Sequence, residues 1–196
     1  MRVGKRSSVV AALIVVAMLT ACGGSEVGQA PPDQPVAPEA PSERQEPAGD
    51  TDAPGDDTLT VTVPKMQRIK EALFPNTHGE DEESLKDFAG IHLDGTGYPW
   101  QKEANVYLAG HRLGFPNTDS FLAFWDLDNV QVGDQVFVWD AKGKEYTYEV
   151  FRTLQVDPSD LHVTEPLEDR NILTLQSCTL PDYAKRLVVQ AELKPT

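Results

Sequence analysis

Two alternating apolar runs near the carboxyl terminus constrain this chain most strongly, because only a short segment joins them. Asn171–Cys178 alternates apolar and polar side chains as a half-buried strand does, and Leu187–Leu193 repeats the pattern directly after Arg186. The segment between them carries a proline and an aspartate, which is typical of a turn. In an antiparallel pair the end of one strand lies beside the start of the next. The sequence therefore predicts that the thiol of Cys178 and the guanidinium of Arg186 meet at one edge of a sheet.

A third apolar run, Asn105–Ala109, also ends at a titratable side chain, because Gly110 and His111 follow it. Imidazole accepts a proton from a thiol and returns it to a leaving amine, so His111 is the natural proton partner of a nucleophilic cysteine. Arginine keeps its charge and offers planar donors, which suits it to bind a carbonyl oxygen or an oxyanion rather than to act as a base. Cys178, His111 and Arg186 are therefore the candidate catalytic residues.

The amino terminus predicts export. Residues 1–21 combine a basic start with an apolar run, and that run is shorter than the roughly 20 residues that a bilayer core requires. This segment is therefore predicted to be a signal peptide. It ends in Leu19–Gly23, which resembles a lipobox, so we expect Cys22 to become a lipidated amino terminus; an ordinary secretory signal or a short anchor is the alternative. Lipid on Cys22 leaves Cys178 without a disulfide partner, and an odd thiol in an exported protein is expected to be free and reactive.

Residues 22–57 are predicted to be a disordered tether. The stretch 23–57 holds seven prolines and nine acidic residues but one arginine and no aromatic residue, so it cannot bury enough apolar surface to offset the entropy of ordering. The whole chain has a formal net charge of −14 and no basic patch, so nucleic acid is not expected as a partner. Residues 58–196 are then long enough to form one domain with a single core.

Short strands dominate this predicted domain. Besides the runs above, alternation predicts strands at Leu59–Val63, Gln135–Trp139 and Glu145–Phe151, the last two joined as a hairpin. A helical turn is predicted at 84–88 with Ser84 as its cap, and a short helix at 119–126. Residues 91–98 and 157–170 are predicted as loops, the second with a helical turn. Seven or eight short strands with few helices indicate an all-β domain that forms a closed or nearly closed antiparallel barrel.

The candidate residues and their order resemble the sortases, the cysteine transpeptidases of Gram-positive cell surfaces. The family carries a strand-terminal Gly-His, a TLxTC strand and an arginine on the next strand, and this chain has Gly110-His111, Thr174–Cys178 and Arg186 in that order. Val132–Asp134, which precedes a predicted strand, is another feature common in the family. The resemblance covers roughly residues 59–193 and is nearest the class E or class D branch. Ser177 stands where threonine is usual, keeps the hydroxyl, and is expected to tune substrate contact.

The resemblance implies an eight-stranded closed β-barrel with short helices and a transpeptidase that acts on secreted proteins. Cys178 is expected to attack a carbonyl within a C-terminal sorting motif of the LPxTG or LAxTG type, while His111 protonates the leaving amine and Arg186 holds the carbonyl oxygen. An amine of a cell-wall precursor or a pilin lysine then resolves the thioacyl-enzyme. Ala109, Ser177 and His162 are expected to contact substrate. No cofactor is expected, and the enzyme is expected on the outer face of the cytoplasmic membrane, held there by its lipid.

The remaining titratable residues have weaker claims to a role. His92 lies beside Gly95 and Thr96 and is the one rival base, whereas His78 lies in an acidic loop and is expected to be solvated. Some sortases bind calcium between the loops that precede the histidine and cysteine strands. Glu103 and Glu165 lie in those loops here, but a full set of oxygen ligands is not evident, so no metal site is predicted.

Three alternatives are open at this point. An L,D-transpeptidase also uses His, Cys and Arg, but it carries a Ser-x-Gly-Cys motif that Ser177–Thr179 lacks. A papain-like peptidase places its histidine after the cysteine, whereas His111 precedes Cys178. The third alternative is a noncatalytic surface lipoprotein whose barrel binds a ligand and whose cysteine is a small core residue. Thiol reactivity separates this noncatalytic alternative from a cysteine enzyme, because a core cysteine resists alkylation in the folded state and a nucleophile in a groove does not.

Overall fold

The computed structural model describes residues 53–195. The predicted signal peptide, the lipidation site at Cys22 and most of the predicted tether lie outside these residues. No helix between residues 53 and 195 is long and apolar enough to cross a membrane.

Strands make up most of the described chain, and nine of them form one sheet within residues 53–195. They are β1 Leu59–Thr62, β2 Ala72–Phe74, β3 Asn76–Thr77, β4 Ile91–Leu93, β5 Ala104–Ala109, β6 Gln135–Trp139, β7 Glu145–Val156, β8 Asn171–Cys178 and β9 Arg186–Leu193. One short helix, α1 at Glu82–Asp87, and two 3₁₀ turns at Leu127–Asn129 and Leu161–Thr164 complete the regular structure of this region. The domain is therefore all-β, as predicted, with few helical residues.

The order of the strands shows that the sheet is a nearly closed barrel. The order is β2-β1-β6-β7-β9-β8-β5-β4-β3, so β2 and β3 are the two outer strands. Only Pro75 separates these two strands in the chain, so the sheet must curl until its edges are neighbours. Two pairs, β3 with β4 and β5 with β8, are parallel, and the others are antiparallel. The barrel has nine strands rather than the eight that were expected, because very short strands complete its edges.

Apolar side chains occupy both faces of the sheet. The barrel interior holds the main core, which includes Leu59, Phe74, Phe124, Tyr148 and Leu175, all at most 1% exposed. A smaller cluster of Tyr107, Val156, Val163 and Val188 lies apart from that core. Since side chains alternate between the two faces of a strand, Tyr107 and Val188 lie on the face opposite their buried neighbours in β5 and β9. This smaller cluster matters for function because it underlies the groove described below.

Two predicted helical features were wrong in detail. The cap of α1 is Asp81, whose carboxylate accepts the Ser84 backbone N–H at 3.0 Å, so the helix begins two residues before the predicted cap. Residues 119–126 form turns rather than a helix. Leu122 has a φ of +56°, and its N–H donates to the Leu113 carbonyl at 2.9 Å. Tertiary hydrogen bonds therefore displace the helical pattern in this segment.

The last residues of the predicted tether pack on the domain. Pro54 is buried, and the Asp57 carboxylate accepts the Tyr98 hydroxyl at 3.1 Å. The Lys142 ammonium donates to the Ala53 carbonyl at 3.0 Å. Residues 53–57, which the sequence assigns to the tether, therefore contact the domain through these hydrogen bonds.

Candidate active site

The hairpin of β8 and β9 brings Cys178 and Arg186 together. Cys178 is the last residue of β8 and Arg186 the first of β9, and their Cα atoms are direct partners in the antiparallel register. Arg186 is also opposite Val156, the last residue of β7. Strand ends from β7, β8 and β9 therefore meet at one rim of the barrel. This is the juxtaposition that the two alternating runs predicted.

The parallel pair of β5 and β8 brings His111 to the same rim. Ala109 is opposite Gln176, and the Gly110 N–H extends the ladder by donating to the Gln176 carbonyl at 3.1 Å. The Ser177 hydroxyl then donates to the Gly110 carbonyl at 2.7 Å. Because parallel strands run in the same direction, the residue after β5 emerges beside the residue that ends β8. His111 and Cys178 therefore lie at the same edge of the sheet.

Gly110 has a packing reason to be glycine. A Cβ built at this position would overlap the Phe124 ring and lie 2.8 Å from the Ala89 carbonyl oxygen. The Phe124 N–H also donates to the His111 carbonyl at 3.2 Å. The closely packed ring and this hydrogen bond fix the backbone on both sides of His111. The sequence did not reveal this contact, because Phe124 belongs to the segment that was predicted to be a helix.

One groove of about 610 Å³ contains all three candidate catalytic residues in its lining. Its floor includes Tyr107, Ala109 and Gln176 from β5 and β8, and one wall comes from residues 157–164 of the β7–β8 loop, which spans residues 157–170. Cys178 is a free cysteine and is half-buried, so it is not a core residue. A partly exposed thiol on a concave surface has the access that a nucleophile needs.

His111 is half-buried, and burial lowers the pKa of its imidazole below the ordinary value of 6.5. The neutral form therefore dominates near pH 7. Within residues 53–195 no side chain or carbonyl is hydrogen-bonded to this imidazole, although the Phe115 ring packs edge-on at a centroid distance of 5.6 Å. A neutral ring with unoccupied nitrogens is suited to accept a proton from a thiol.

The guanidinium of Arg186 has weak partners. It donates to the Tyr183 and Lys185 carbonyls at 3.3 and 3.4 Å. None of the carboxylates in residues 53–195 forms an ion pair with it. Burial raises the pKa of the Tyr107 hydroxyl to about 12, and the charge of Arg186 acts in the opposite direction, which places that charge close to the groove floor. The remaining donors of Arg186 are available to a substrate oxygen.

The three residues that were expected to contact substrate have different positions. Ala109 lines the groove beside Gly110. Ser177 is fully buried and donates to the Gly110 carbonyl, so the structure places it beneath the site rather than on the groove surface. His162 is exposed and pairs with the Asp160 carboxylate at 2.7 Å, and it is not part of the groove lining, although its neighbours in the β7–β8 loop are.

His92 has a structural position. It is fully buried and outside the groove lining. The Asn76 amide donates to its Nδ1 at 3.1 Å, and its Nε2 donates to the Gly97 carbonyl at 2.9 Å. Burial lowers the pKa of His92 to about 4. Both ring nitrogens are occupied, so the geometry favours His111 over His92 as the base.

Tyr107 and Gln176 are groove residues that the sequence analysis missed, although strand alternation places them on the same face as Ala109 and Cys178.

The β7–β8 loop forms an ion pair with the β8–β9 turn, from the Asp157 carboxylate to the Lys185 ammonium at 2.7 Å. Within residues 53–195 no group of three or more metal-binding side chains is present.

The comparisons with known proteins agree on one family, the sortases. The sortase domain family model matches residues 61–194. Sortase A from Streptococcus agalactiae serotype III is 33% identical over 92 residues, which cover 47% of this chain. The match covers only 37% of that relative's length.

Solved sortase structures share the fold. Sortase C1 from Streptococcus agalactiae superposes with a TM-score of 0.58 and 30% identity, covering 69% of this chain and 66% of that chain. Sortase C-1 from Actinomyces oris gives a TM-score of 0.59 and 26% identity, covering 70% of this chain and 73% of that chain. A lid mutant of sortase A from Corynebacterium diphtheriae gives 0.58 and 26%, covering 70% of each chain.

Proposed function

Because this chain belongs to the sortase family, we propose that it is a cysteine transpeptidase whose nucleophile is Cys178. The observation that carries this proposal is that Cys178, His111 and Arg186 all line one groove. The half-buried position of the free thiol argues against the noncatalytic alternative, in which the cysteine is a core residue.

In the proposed first step, the sulfur of Cys178 attacks the carbonyl carbon of the scissile peptide bond. The thiol proton passes to His111, and a carbon–sulfur bond forms as the oxygen takes negative charge. The guanidinium of Arg186 donates to that oxygen and stabilises the charge. The carbon–nitrogen bond then breaks, His111 returns the proton to the leaving amine, and a thioacyl-enzyme remains. Burial lowers the pKa of His111, which favours the neutral imidazole that accepts the proton in the first transfer.

In the second step an acceptor amine attacks the thioester carbon. His111 takes the proton that this nitrogen loses and returns it to the departing sulfur, which restores the free thiol. The acceptor is proposed to be an amine of a cell-wall precursor or a pilin lysine. The acyl donor is proposed to be a secreted protein with a sorting motif of the LPxTG or LAxTG type, held with Ala109 in contact.

The proposed location follows from the same family and from the amino terminus. Sortases act at the cell surface, so the catalytic domain is placed outside the cytoplasm. The lipobox-like Leu19–Gly23 supports attachment to the outer face of the cytoplasmic membrane through lipid on Cys22.

Mass spectrometry tests the proposal directly. The protein is incubated with a peptide that carries an LPxTG- or LAxTG-type motif, with and without an added amine. We expect cleavage, faster turnover with the amine, and an acyl adduct on Cys178. Cys178→Ala is expected to lose both adduct and cleavage, whereas Cys22→Ala, the matched control at the other cysteine, retains them and loses membrane retention. Full cleavage by Cys178→Ala would end the proposal.

A further inference from the structure

A row of polar side chains crosses four neighbouring strands on the groove face of the sheet. Arg152 on β7 donates from Nε to the side-chain oxygen Oε1 of Gln190 on β9 at 2.6 Å, and Nε2 of Gln190 donates to the Thr174 hydroxyl on β8 at 3.0 Å. The Thr174 hydroxyl donates in turn to Asn105 Oδ1 on β5 at 2.7 Å. Gln190, Thr174 and Asn105 are each at most 1% exposed. Arg152 at the end of the row is exposed, but the other three members are buried, and each of their buried polar atoms has a hydrogen-bond partner.

The row has one direction of hydrogen-bond donation. Arginine has donors only, so Gln190 must present its oxygen to Arg152 and its amide nitrogen to Thr174. The Thr174 proton is then committed to Asn105 Oδ1, so Asn105 must turn its amide nitrogen away from the sheet. Networks of this kind hold each member in one orientation because every alternative leaves a buried group unpaired.

The amide of Asn105 points at the β7–β8 loop. It donates to the Val163 carbonyl at 2.8 Å and to the Glu165 carbonyl at 3.0 Å. The side chain of Val163 is buried against Tyr107 and Val188 in the smaller apolar cluster, and Val163 also lines the groove. Asn105 therefore attaches part of the β7–β8 loop to the sheet. It does so from β5, the strand that ends just before His111.

We propose that Asn105 is a positioning residue that holds the β7–β8 loop in its groove-lining conformation and so sets the affinity for the sorting-motif peptide. This inference rests on the proposed function, because it concerns the substrate of that site. Asn105 does not touch the reacting atoms, so it acts through the loop. Its loss is expected to raise KM for the peptide and to change kcat little.

Asn171 is a matched control on the neighbouring strand. It is opposite Ala104 in the parallel pair and is 6% exposed. Its Oδ1 accepts the Tyr148 hydroxyl at 2.8 Å, and its amide donates to three carbonyls in the segment 98–101, at 2.6 to 3.2 Å. That segment does not line the groove. Asn171 therefore has the same kind of bonds as Asn105 but holds a loop that is unrelated to substrate.

The experiment compares Asn105→Asp with Asn171→Asp in the full chain. Each carboxylate keeps the accepting oxygen and faces carbonyls with a second acceptor, so both variants lose stability. Only Asn105→Asp is expected to raise KM for an LPxTG- or LAxTG-type peptide. The expected increase is about tenfold, which corresponds to the free energy of roughly one hydrogen bond that no longer holds the loop. Asn105→Ala and Asn171→Ala serve as a second pair if either aspartate variant does not fold.

Hydrogen exchange without substrate separates this inference from the proposed function. Amides of residues 157–170 are expected to exchange about tenfold faster in the Asn105 variant and at the wild-type rate in the Asn171 variant. Equal KM values and equal loop exchange in the two variants would overturn the inference. A wild-type protein that cleaves no motif peptide would overturn the proposed function, and the exchange rates would then decide the role of Asn105 in holding the loop.

Discussion

His92 and His111 lie on or just after two neighbouring strands, yet their surroundings differ in exposure and in hydrogen bonding. His92 in β4 is fully buried, and both ring nitrogens have partners. His111 follows β5, is half-buried, lines the groove and has no hydrogen-bond partner on its ring within residues 53–195. Burial lowers the pKa of both imidazoles, but it lowers that of His92 to about 4.

The difference teaches how the same side chain becomes structural or reactive. At His92 the Asn76 amide is a donor to Nδ1, so a proton on that nitrogen would leave two donors facing each other. The neutral ring is therefore part of the fold and cannot exchange protons with a ligand. At His111 burial keeps the ring neutral while its nitrogens are left available. Access and unoccupied nitrogens, rather than a lowered pKa, distinguish the proposed base from the buried histidine.

The largest expected effect is a contrast between the alanine variants of the two histidines, one of which loses catalysis and the other stability. His111→Ala is expected to lower kcat for motif-peptide cleavage by about 10²–10⁴-fold, the usual value of general acid–base catalysis, with little change in stability. His92→Ala is expected to lower the free energy of unfolding by about 1–3 kcal/mol, because buried groups lose their partners, while the folded fraction remains active. Steady-state kinetics and denaturant unfolding measure both. If His92→Ala loses catalysis and His111→Ala retains it, the assignment of the base is wrong.

Arg186→Lys tests the guanidinium that is proposed to bind the oxyanion in the groove. This variant keeps the positive charge but loses the planar donors, so kcat is expected to fall by about 10²-fold, as when one oxyanion donor is removed. Arg170→Lys is the control, since Arg170 pairs with Glu192 away from the groove, and it is expected to cleave the peptide at the wild-type rate. Wild-type kcat in Arg186→Lys would mean that charge alone is required.

The buried imidazole of His92 is expected to make the stability of the protein depend on pH. The pKa of His92 is about 4 in the folded protein and 6.5 ordinarily. Between these values the unfolded chain takes up a proton that the folded chain does not, so stability falls as the pH drops through this window. The His92 contribution to the loss is expected to total about 3 kcal/mol. Urea unfolding from pH 7 to pH 4 measures it, with His92→Gln as reference. Parallel stability curves for the two proteins would contradict the prediction.

The smallest expected effect is at Ser177, which contacts the residue before His111, the proposed base. Ser177→Ala removes the hydrogen bond to the Gly110 carbonyl and is expected to lower the free energy of unfolding by about 1 kcal/mol. Its kcat is expected to fall less than the kcat of Arg186→Lys. Ser159→Ala, at an exposed position, is the control and is expected to leave stability unchanged. A loss of catalysis as large as that of His111→Ala would place Ser177 in the chemistry instead.

The long strands were predictable because each carries its own alternation. The strand that ends at Cys178 and the one that begins at Arg186 were predicted at their observed positions. The hairpin of β6 and β7 was predicted too, although β7 runs on to Val156, beyond the predicted end at Phe151. The strands β2 and β3 have three and two residues, too few to show a period, and their neighbours determine their conformation. The predicted helix at 119–126 failed because bonds to the chain after β5 outweigh local helical preference.

By itself the sequence determined the all-β class, the family and the placement of Cys178 beside Arg186, since these depend on side-chain type and on the period of strands. Only the tertiary structure decided which histidine lies in the groove, because burial and hydrogen-bond partners come from distant segments such as Asn76 and Gly97. It also decided that Ser177 is an internal donor. The link from Asn105 to the β7–β8 loop joins residues 58 and 60 positions apart. No local pattern encodes such a contact, because the chain must fold before the two partners meet.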